Sequence, residues 1–153
     1  MRGSLLLQMK PQIVSTLTHP STAMALPSAY YGPVLLVEDD EPLRRYLETV
    51  LLRAGYQVVT AGDGLEAMKV VLSQPVQAVI TDAIMPHLNG HELCRFLRHH
   101  PKLSHLPLIM LSGLTDNFTS PEVKEKPDIY LAKPVRGEDL VNCLVGLLCQ
   151  QAA

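Results

Sequence analysis

Short apolar runs alternate with segments in which apolar residues recur every three or four positions, from residue 34 onward. The short runs are typical of strands buried on both faces of a sheet, and the three-to-four spacing places apolar side chains on one face of a helix. The predicted strands are Val34–Val37, Gln57–Ala61, Val76–Ile80, Leu106–Leu111 and Ile129–Ala132. Strands that alternate with helices predict an α/β fold with a doubly wound, five-stranded parallel sheet.

Four helices are predicted from the periodic segments and the residues that flank them. Pro at the first turn, an acidic capping pair, and Gly or Pro after the last turn are the usual boundary signals. These signals are Pro42 and Gly55 for the first helix, Asp63, Glu66 and Pro75 for the second, and Gly90 and Pro101 for the third. The last helix is predicted from Leu140, Leu144 and Leu147, which recur at helical spacing. Between Gly113 and Asp128, two prolines leave space for only a short or irregular helix.

Residues 1–33 differ from the rest because they contain four prolines, many Ser and Thr, and no lasting period. We therefore predict a flexible N-terminal leader at 1–33 and one folded domain at 34–153. Two alternatives for the leader stay open. The run Leu5–Leu7 after Arg2 has the start of a secretory signal but is soon interrupted by polar residues, and the first four residues have the form of a cloning remnant.

Composition narrows the class of protein. The chain is 47% hydrophobic with a formal net charge of -2, and it has no basic run, so we expect no direct contact with nucleic acid. No apolar stretch approaches the roughly 20 residues that span a bilayer, so we expect no membrane partner. Cys94, Cys143 and Cys149 have neither metal nor redox spacing and are odd in number, which predicts buried thiols in a reducing compartment and hence a cytoplasmic location.

Polar side chains follow four of the five predicted strands. They are Glu38, Asp39 and Asp40 after the first, Asp82 after the third, Ser112, followed by Gly113, after the fourth, and Lys133, followed by Pro134, after the fifth. The carboxyl ends of parallel strands meet at one edge of the sheet. Carboxylates gathered there favour Mg²⁺, which keeps waters for a phosphate, while an ammonium and a hydroxyl suit a phosphoryl group. The sequence therefore predicts phosphoryl transfer at this edge.

Four motifs carry a family resemblance that covers everything from Val34 to the end. They are V-L-L-V-E-D-D at 34–40, D-A-I-M-P-H-L-N-G at 82–90, I-M-L-S-G at 109–113 and Y-L-A-K-P at 130–134. In this order and spacing the chain resembles the receiver domains of two-component response regulators, including the chemotaxis regulators. The resemblance implies a flavodoxin-like fold with strand order 2-1-3-4-5 and a magnesium cofactor.

The resemblance also implies the roles of the residues at the strand ends. Asp82 would be the phospho-acceptor, and Mg²⁺ would be held by Glu38, Asp39, Asp82 and the backbone carbonyl of Ile84. Each has a simpler alternative: the acidic run complements the positive end of the first helix, and Asp82 caps a turn.

A second group of residues would handle the phosphoryl group and the response to it. Ser112, Gly113 and Lys133 would bind the phosphoryl oxygens, and Ser112 and Tyr130 would form the switch. The Lys133–Pro134 peptide bond would be cis. Taken singly, a core hydroxyl, a surface lysine and a packing tyrosine are the commoner explanations.

The resemblance implies a signalling module and not an enzyme with a separate substrate, since a receiver promotes only its own phosphorylation and dephosphorylation. A sensor histidine kinase or phosphotransfer domain would donate the phosphoryl group, and a protein effector would read the switched surface. We expect a stand-alone receiver. A homodimer through the face of the fourth helix, fifth strand and last helix is one alternative, and the apolar Val141, Val145 and Leu148 on the last helix would be buried either in this dimer face or in the core.

Two alternatives to this function stay open. One is a phosphate-independent pseudo-receiver that acts as a protein-interaction module. The other is a phosphatase that works through an aspartyl phosphate. The usual motif of such an enzyme has two aspartates separated by one residue, which Asp39-Asp40-Glu41 lacks.

Two further motifs have weaker claims. Gly62–Ala67 fits the dinucleotide pattern G-x-G-x-x-A, but it follows the second strand and carries two carboxylates that would repel a pyrophosphate. His87, His91 and Cys94 have the residue types of a metal site, but Gly90 breaks the helical face they would need.

One departure from the family pattern leads to a hypothesis. Ile84 and Leu114 lie where receivers often carry polar groups that hold the hydrolytic water. Slow loss of the phosphoryl group is expected.

Overall fold

The computed structural model describes residues 32–113 and 124–152, which form five strands and four helices. The strands are β1 (Val34–Val37), β2 (Val58–Ala61), β3 (Ala78–Asp82), β4 (Leu108–Ser112) and β5 (Ile129–Ala132). The helices are α1 (Glu41–Arg53), α2 (Gly64–Ser73), α3 (Gly90–His99) and α4 (Gly137–Ala152). No described helix combines the length and the apolar character needed to cross a membrane.

All strand pairs are parallel, and the order across the sheet is β2-β1-β3-β4-β5. The predicted α/β fold with strand order 2-1-3-4-5 is therefore confirmed. The register pairs Asp82 with Leu111 and Ser112 with Ala132, so the carboxyl ends of the three strands β3, β4 and β5 are level with one another. Side chains that follow these strands are consequently brought to the same edge.

Alternate residues of the central strands enter two separate cores, as the period of two requires. Leu35 and Val37 pack with residues of α2 and α3, whereas Val34 and Leu36 pack with residues of α1 and α4. Every residue of β1 and β3 is buried. Because both faces are covered, the strands read as continuous apolar runs, and the sheet forms a rigid support for the loops at its carboxyl edge.

The bounds of β1 and β5 are as predicted, whereas those of β2, β3 and β4 differ from the prediction by one or two residues. Asp82 and Ser112 are the last residues of β3 and β4, where the sequence predicted that they follow them. Parallel pairing continues onto these polar residues because their backbone groups still have partners on the neighbouring strands. The predictions for the leader, apart from residues 32 and 33, and for the segment 114–123 lie outside the described residues.

The helix caps only partly follow the predicted pattern. The Asp63 side chain accepts from the Glu66 N–H at 2.8 Å, but the Glu66 carboxylate accepts from the Gly62 N–H at 2.7 Å and so completes no capping box with Asp63. A full capping box occurs at α3, where the Asn89 side chain and the Glu92 carboxylate bond each other's backbone N–H. The two pairs lie at the starts of α2 and α3, and both helices pack into the core that contains residues of β1 and β3.

Gly90 is required for space rather than for a positive φ. The φ angle of Gly90 is not positive. Within this turn the left-handed conformation is adopted by His87, with φ 68. A Cβ on Gly90 would lie 2.1 Å from the Asp82 carbonyl oxygen and 3.0 Å from the Ala83 Cα. The start of α3 therefore packs directly against the backbone that carries Asp82.

Replacing Gly90 with Ala is expected to destabilise the fold by about 2–3 kcal/mol, because the new methyl group overlaps backbone atoms that cannot move aside freely. Gly146→Ala is the matched control, since a Cβ at this position of α4 has nothing within 4 Å. Removing glycine from a helix there should stabilise by about 0.5–1 kcal/mol. Urea unfolding followed by circular dichroism measures both, and equal stabilities for the two variants would contradict the close packing at Gly90.

Candidate functional site

The three acidic residues after β1 point in different directions and do different things. Glu38 is buried, with 0% of its surface exposed, whereas Asp39 and Asp40 are exposed. The Asp40 carboxylate accepts from the Leu43 N–H at 3.2 Å and is the N-cap of α1. The expectation that the acidic run complements the first helix therefore holds for Asp40, while the preceding two carboxylates are left for another role.

Lys133 joins the carboxyl edge of β5 to those of β1 and β3. Its Nζ lies 2.8 Å from Asp82 Oδ2 and 3.4 Å from Glu38 Oε2. Asp82 is 6% exposed. One ammonium thus contacts two buried carboxylates that are far apart in the sequence, and the solvent screening that weakens surface ion pairs is reduced here.

Glu38, Asp39 and Asp82 form a group suited to a divalent cation. Each offers one carboxylate oxygen, and the three oxygens lie within 4.8 Å of one another. Three hard oxygen donors, one of them on an exposed residue that leaves the site open to solvent, are the donor set of a partly hydrated Mg²⁺. The residues present therefore fit the magnesium site that the sequence predicts.

Burial and charge act on the ionisation of this group. Burial raises the pKa of Glu38 to about 7, with a further increase from the Asp82 charge and a partial offset from the Asp40 N–H and Lys133. For Lys133, burial alone would lower the pKa, but hydrogen bonding and charge from Asp82 and Glu38 outweigh it and the pKa is raised. The ammonium is thus held charged, and the carboxylates are crowded in the absence of a second cation.

Ser112 is placed next to this group by backbone contacts, and Gly113 follows it in the chain. The Lys133 N–H donates to the Ser112 carbonyl at 2.8 Å, and the Ala83 N–H donates to the Leu111 carbonyl at 2.9 Å. Ser112 is therefore held between the strand ends that carry Asp82 and Lys133. Both Ser112 and Gly113 are partly exposed, which leaves them accessible from the site.

Tyr130 and Ile84, two further residues predicted for the site, are both exposed. Tyr130, on β5, is 39% exposed, and its ring centroid lies 6.4 Å from that of His91 on α3. Ile84 follows Asp82 by two residues, and its side chain is 58% exposed. The Lys133–Pro134 peptide bond is cis, in agreement with the expectation.

Sequence reasoning missed two residues that support the site. Arg44 Nη1 donates to the Glu38 carbonyl at 2.8 Å, and Thr81 Oγ1 donates to the Asp82 carbonyl at 3.0 Å. Thr81 gives no signal in the sequence because a strand threonine is ordinary. Arg44 does give one, since a cation in the first turns of a helix opposes the helix dipole.

The two weaker motifs do not form sites in the described residues. The Gly62 N–H that would face a pyrophosphate is bonded to Glu66, and Gly64 packs against the Leu88 carbonyl, 2.4 Å from a Cβ placed on it. The trio of His87, His91 and Cys94 is not among the groups close enough to hold a metal. Cys94 is buried in the core, and burial raises the pKa of its thiol to about 11.

Comparison with known proteins gives a consistent result. Residues 34–145 match the family model of the response regulator receiver domain. The chain is 35% identical over 132 residues to Protein RcaC of Microchaete diplosiphon, covering 86% of this chain and 20% of that protein. It is 34% identical over 122 residues to the transcriptional regulatory protein GltR of Pseudomonas aeruginosa, covering 79% of this chain and 50% of that protein. The chain thus spans half or less of these curated relatives.

A solved structure agrees in fold. The response regulator protein TrrA of Thermotoga maritima, in complex with Mg²⁺ and BeF, superposes with a TM-score of 0.67 and is 28% identical, covering 76% of this chain and 98% of that chain. That complex contains Mg²⁺ together with a beryllium fluoride.

In the metal-free protein, Glu38→Gln is expected to increase stability at pH 8. The folded-state pKa of Glu38, about 7, exceeds its ordinary value of 4.5, so its stabilising contribution is complete below pH 4.5 and is lost as pH rises through 7. Glutamine keeps the shape and avoids this loss. We expect a gain on the order of 1–3 kcal/mol at pH 8 that shrinks at pH 5.

Chemical unfolding in a chelator at both pH values measures this gain. Glu41→Gln is the control, because Glu41 is exposed and its ion pair among the described residues is with Arg45 on the surface of α1, so its effect should stay below about 0.5 kcal/mol. A Glu38→Gln protein no more stable than wild type at pH 8 would show that Glu38 is not strained by burial.

Proposed function

The chain belongs to the response regulator receiver domains of two-component signalling systems, and we propose that Asp82 accepts the phosphoryl group that switches it. The observation that carries this proposal is the 2.8 Å contact between Lys133 Nζ and Asp82 Oδ2, beside the carboxylates of Glu38 and Asp39. A nucleophile, a point charge for the phosphoryl oxygens and a cation site are the parts that phosphoryl transfer needs. All three occur together at one edge of the sheet.

The proposed donor is a phosphohistidine on a sensor histidine kinase or a phosphotransfer domain. An Asp82 carboxylate oxygen attacks the phosphorus in line, the new O–P bond forms as the N–P bond breaks, and the electron pair leaves with the imidazole of the donor. The product is an acyl phosphate on Asp82. Receiver domains are signalling domains, and on this proposal the chain promotes only its own phosphorylation and dephosphorylation.

Residues around Asp82 orient and stabilise the group during transfer. Lys133 pairs with a phosphoryl oxygen in place of part of its contact with Asp82, and Ser112 and the Gly113 backbone contribute hydrogen bonds to the other oxygens. When bound, Mg²⁺ supplies positive charge beside the phosphoryl oxygens. Its proposed ligands are Glu38, Asp39, Asp82 and the backbone carbonyl of Ile84.

The new charge on Asp82 is proposed to draw the Ser112 hydroxyl inward and to release space for the Tyr130 ring. Support for this switch comes from the position of Tyr130 on β5, three residues before Lys133, and from the 39% exposure of its side chain. A change at Asp82 would then alter the surface of β5 and α4. The remainder of the predicted output face, at 114–123, lies outside the described residues.

We propose the following setting for this domain. It spans 34–153 and is preceded by a leader at 1–33, it works in the cytoplasm, and its output is a protein effector, with no direct contact to nucleic acid or membrane. A homodimer would use the β5 and α4 surface, where Val141, Val145 and Leu148 are partly exposed. The transcriptional role in the name of one relative belongs to a protein twice as long as the matched region.

Incubation with acetyl phosphate and Mg²⁺ is expected to add one phosphoryl group, detected by mass spectrometry of the intact protein. Asp82→Asn should remain unmodified. A chelator should abolish the reaction in wild type, because the crowded carboxylates repel the anionic phosphate unless a cation is bound beside them. Asp139→Asn, an exposed carboxylate in the first turn of α4, is the control and should react as wild type does.

Phosphoramidate serves as a second donor. Failure of folded wild type with both donors would contradict the proposal and favour the phosphate-independent pseudo-receiver. Modification that persists in Asp82→Asn would show that another residue is the acceptor.

The phosphorylated protein is expected to lose its phosphoryl group slowly, because the exposed side chain of Ile84 is apolar and cannot hold a water molecule in line with the O–P bond. Ile84→Asn should shorten the lifetime by roughly threefold or more, since an amide can orient that water. Decay is followed by mass spectrometry after removal of the donor.

Ile84→Val is the control, as it changes size slightly but adds no polar group. An Ile84→Asn lifetime equal to or longer than that of wild type would refute the role of Ile84. The second apolar position, Leu114, lies outside the described residues.

A further inference from the structure

Arg44 contacts the acidic pair from outside the group of carboxylates. Its Nη1 donates to the backbone carbonyl of Glu38 at 2.8 Å, and the bond is partly buried. That carbonyl belongs to the peptide unit that joins Glu38 to Asp39. Because a peptide unit is planar, a hydrogen bond to its carbonyl restrains the direction in which both neighbouring residues project.

Glu38 is held at its other polar groups by different parts of the fold. Its N–H donates to the Ala61 carbonyl at 3.1 Å, Oε1 accepts from the Asp40 N–H at 3.1 Å, and Oε2 lies 3.4 Å from Lys133 Nζ. Asp39, in contrast, is exposed. The bond from Arg44 therefore adds a restraint on the peptide that links the buried carboxylate to the exposed one.

The position of Arg44 in α1 is otherwise unfavourable. It is the fourth residue of the helix, where the positive end of the helix dipole repels a cation. Arg45, the next residue, is 76% exposed at its side chain and pairs with Glu41 on the helix surface. Arg44 instead turns back toward the end of β1 and reaches the loop after β2, where its Nη1 lies 3.8 Å from a Cβ placed on Gly62.

Arg44 makes no ion pair with a carboxylate within 4.0 Å among the described residues. Its charge is therefore not used to neutralise Glu38, Asp39 or Asp82. As a cation near the site, it would by charge alone weaken the binding of a second cation. If Arg44 positions the ligands, replacing it should weaken the binding of Mg²⁺. If only its charge matters, replacing it should strengthen that binding.

We propose that Arg44 is a positioning residue for the magnesium site, which holds the Glu38–Asp39 peptide so that both carboxylates face Asp82. This inference rests on the proposed function, because it concerns the cation that the phosphoryl transfer uses. Contacts that orient ligands from behind commonly change metal affinity by about 10–100-fold. Since Arg44 acts through a single backbone bond, we expect an effect near the lower end of that range.

Isothermal titration of Mg²⁺ into the unphosphorylated protein measures the dissociation constant directly, without any need for phosphoryl transfer. Arg44→Met should weaken binding by about tenfold, and Arg44→Lys, which retains a donor, should restore part of the loss. Arg45→Met is the matched control and should bind within about twofold of wild type. Urea unfolding in a chelator reports separately on fold stability, so a purely structural role would lower stability and leave the affinity of the folded protein unchanged.

The outcomes separate this inference from the proposed function. If wild type binds Mg²⁺ and Arg44→Met binds it equally or more tightly, positioning by Arg44 is wrong while the magnesium site stands. If wild type binds no Mg²⁺, the magnesium part of the proposed function is wrong and the inference falls with it. Should Arg44→Met not fold, Arg44→Leu, which also lacks a donor, decides by the same criterion.

Discussion

Crowding of carboxylates beside one ammonium is the interaction on which the site depends. Glu38 and Asp82 are buried at the carboxyl edge of the sheet, and Lys133 contacts both. Burial raises the pKa of Glu38 to about 7, so the attraction of this carboxylate to Lys133 does not fully offset its loss of water. The scaffold behind the group therefore holds these charged side chains together, and Glu38, Asp39 and Asp82 offer oxygens that fit a further cation.

The scaffold supplies this rigidity through short strands that are buried on both faces. β1 and β3 are wholly buried and adjacent, so the residues after them cannot move apart without breaking the sheet. Local backbone contacts then give neighbouring acidic residues different roles, since Asp40 caps α1 while Glu38 is buried. A sequence of three like charges thus becomes one cap and two candidate ligands.

The same arrangement connects chemistry to the surface. β5 carries Tyr130 and leads directly into Lys133, whose backbone is bonded to Ser112 at the end of β4. On the proposed function, a charge added at Asp82 would act on Lys133 first, and therefore on a strand at the edge of the sheet with an exposed aromatic residue. Short covalent and hydrogen-bonded paths of this kind let a local change bias a surface without a large rearrangement of the core.

What the sequence determined by itself was the fold class, the approximate position of each described strand and the polar residues at the strand ends, because these follow from local periodicity and from the direction of parallel strands. It did not determine that Asp40 caps a helix, that Gly90 is there for space, or that Arg44 reaches the Glu38 carbonyl. Only the tertiary structure decided the contact between Lys133 and Glu38, 95 residues apart in the chain. Such contacts depend on how elements pack in three dimensions, and no local pattern of residues encodes the distance between two side chains.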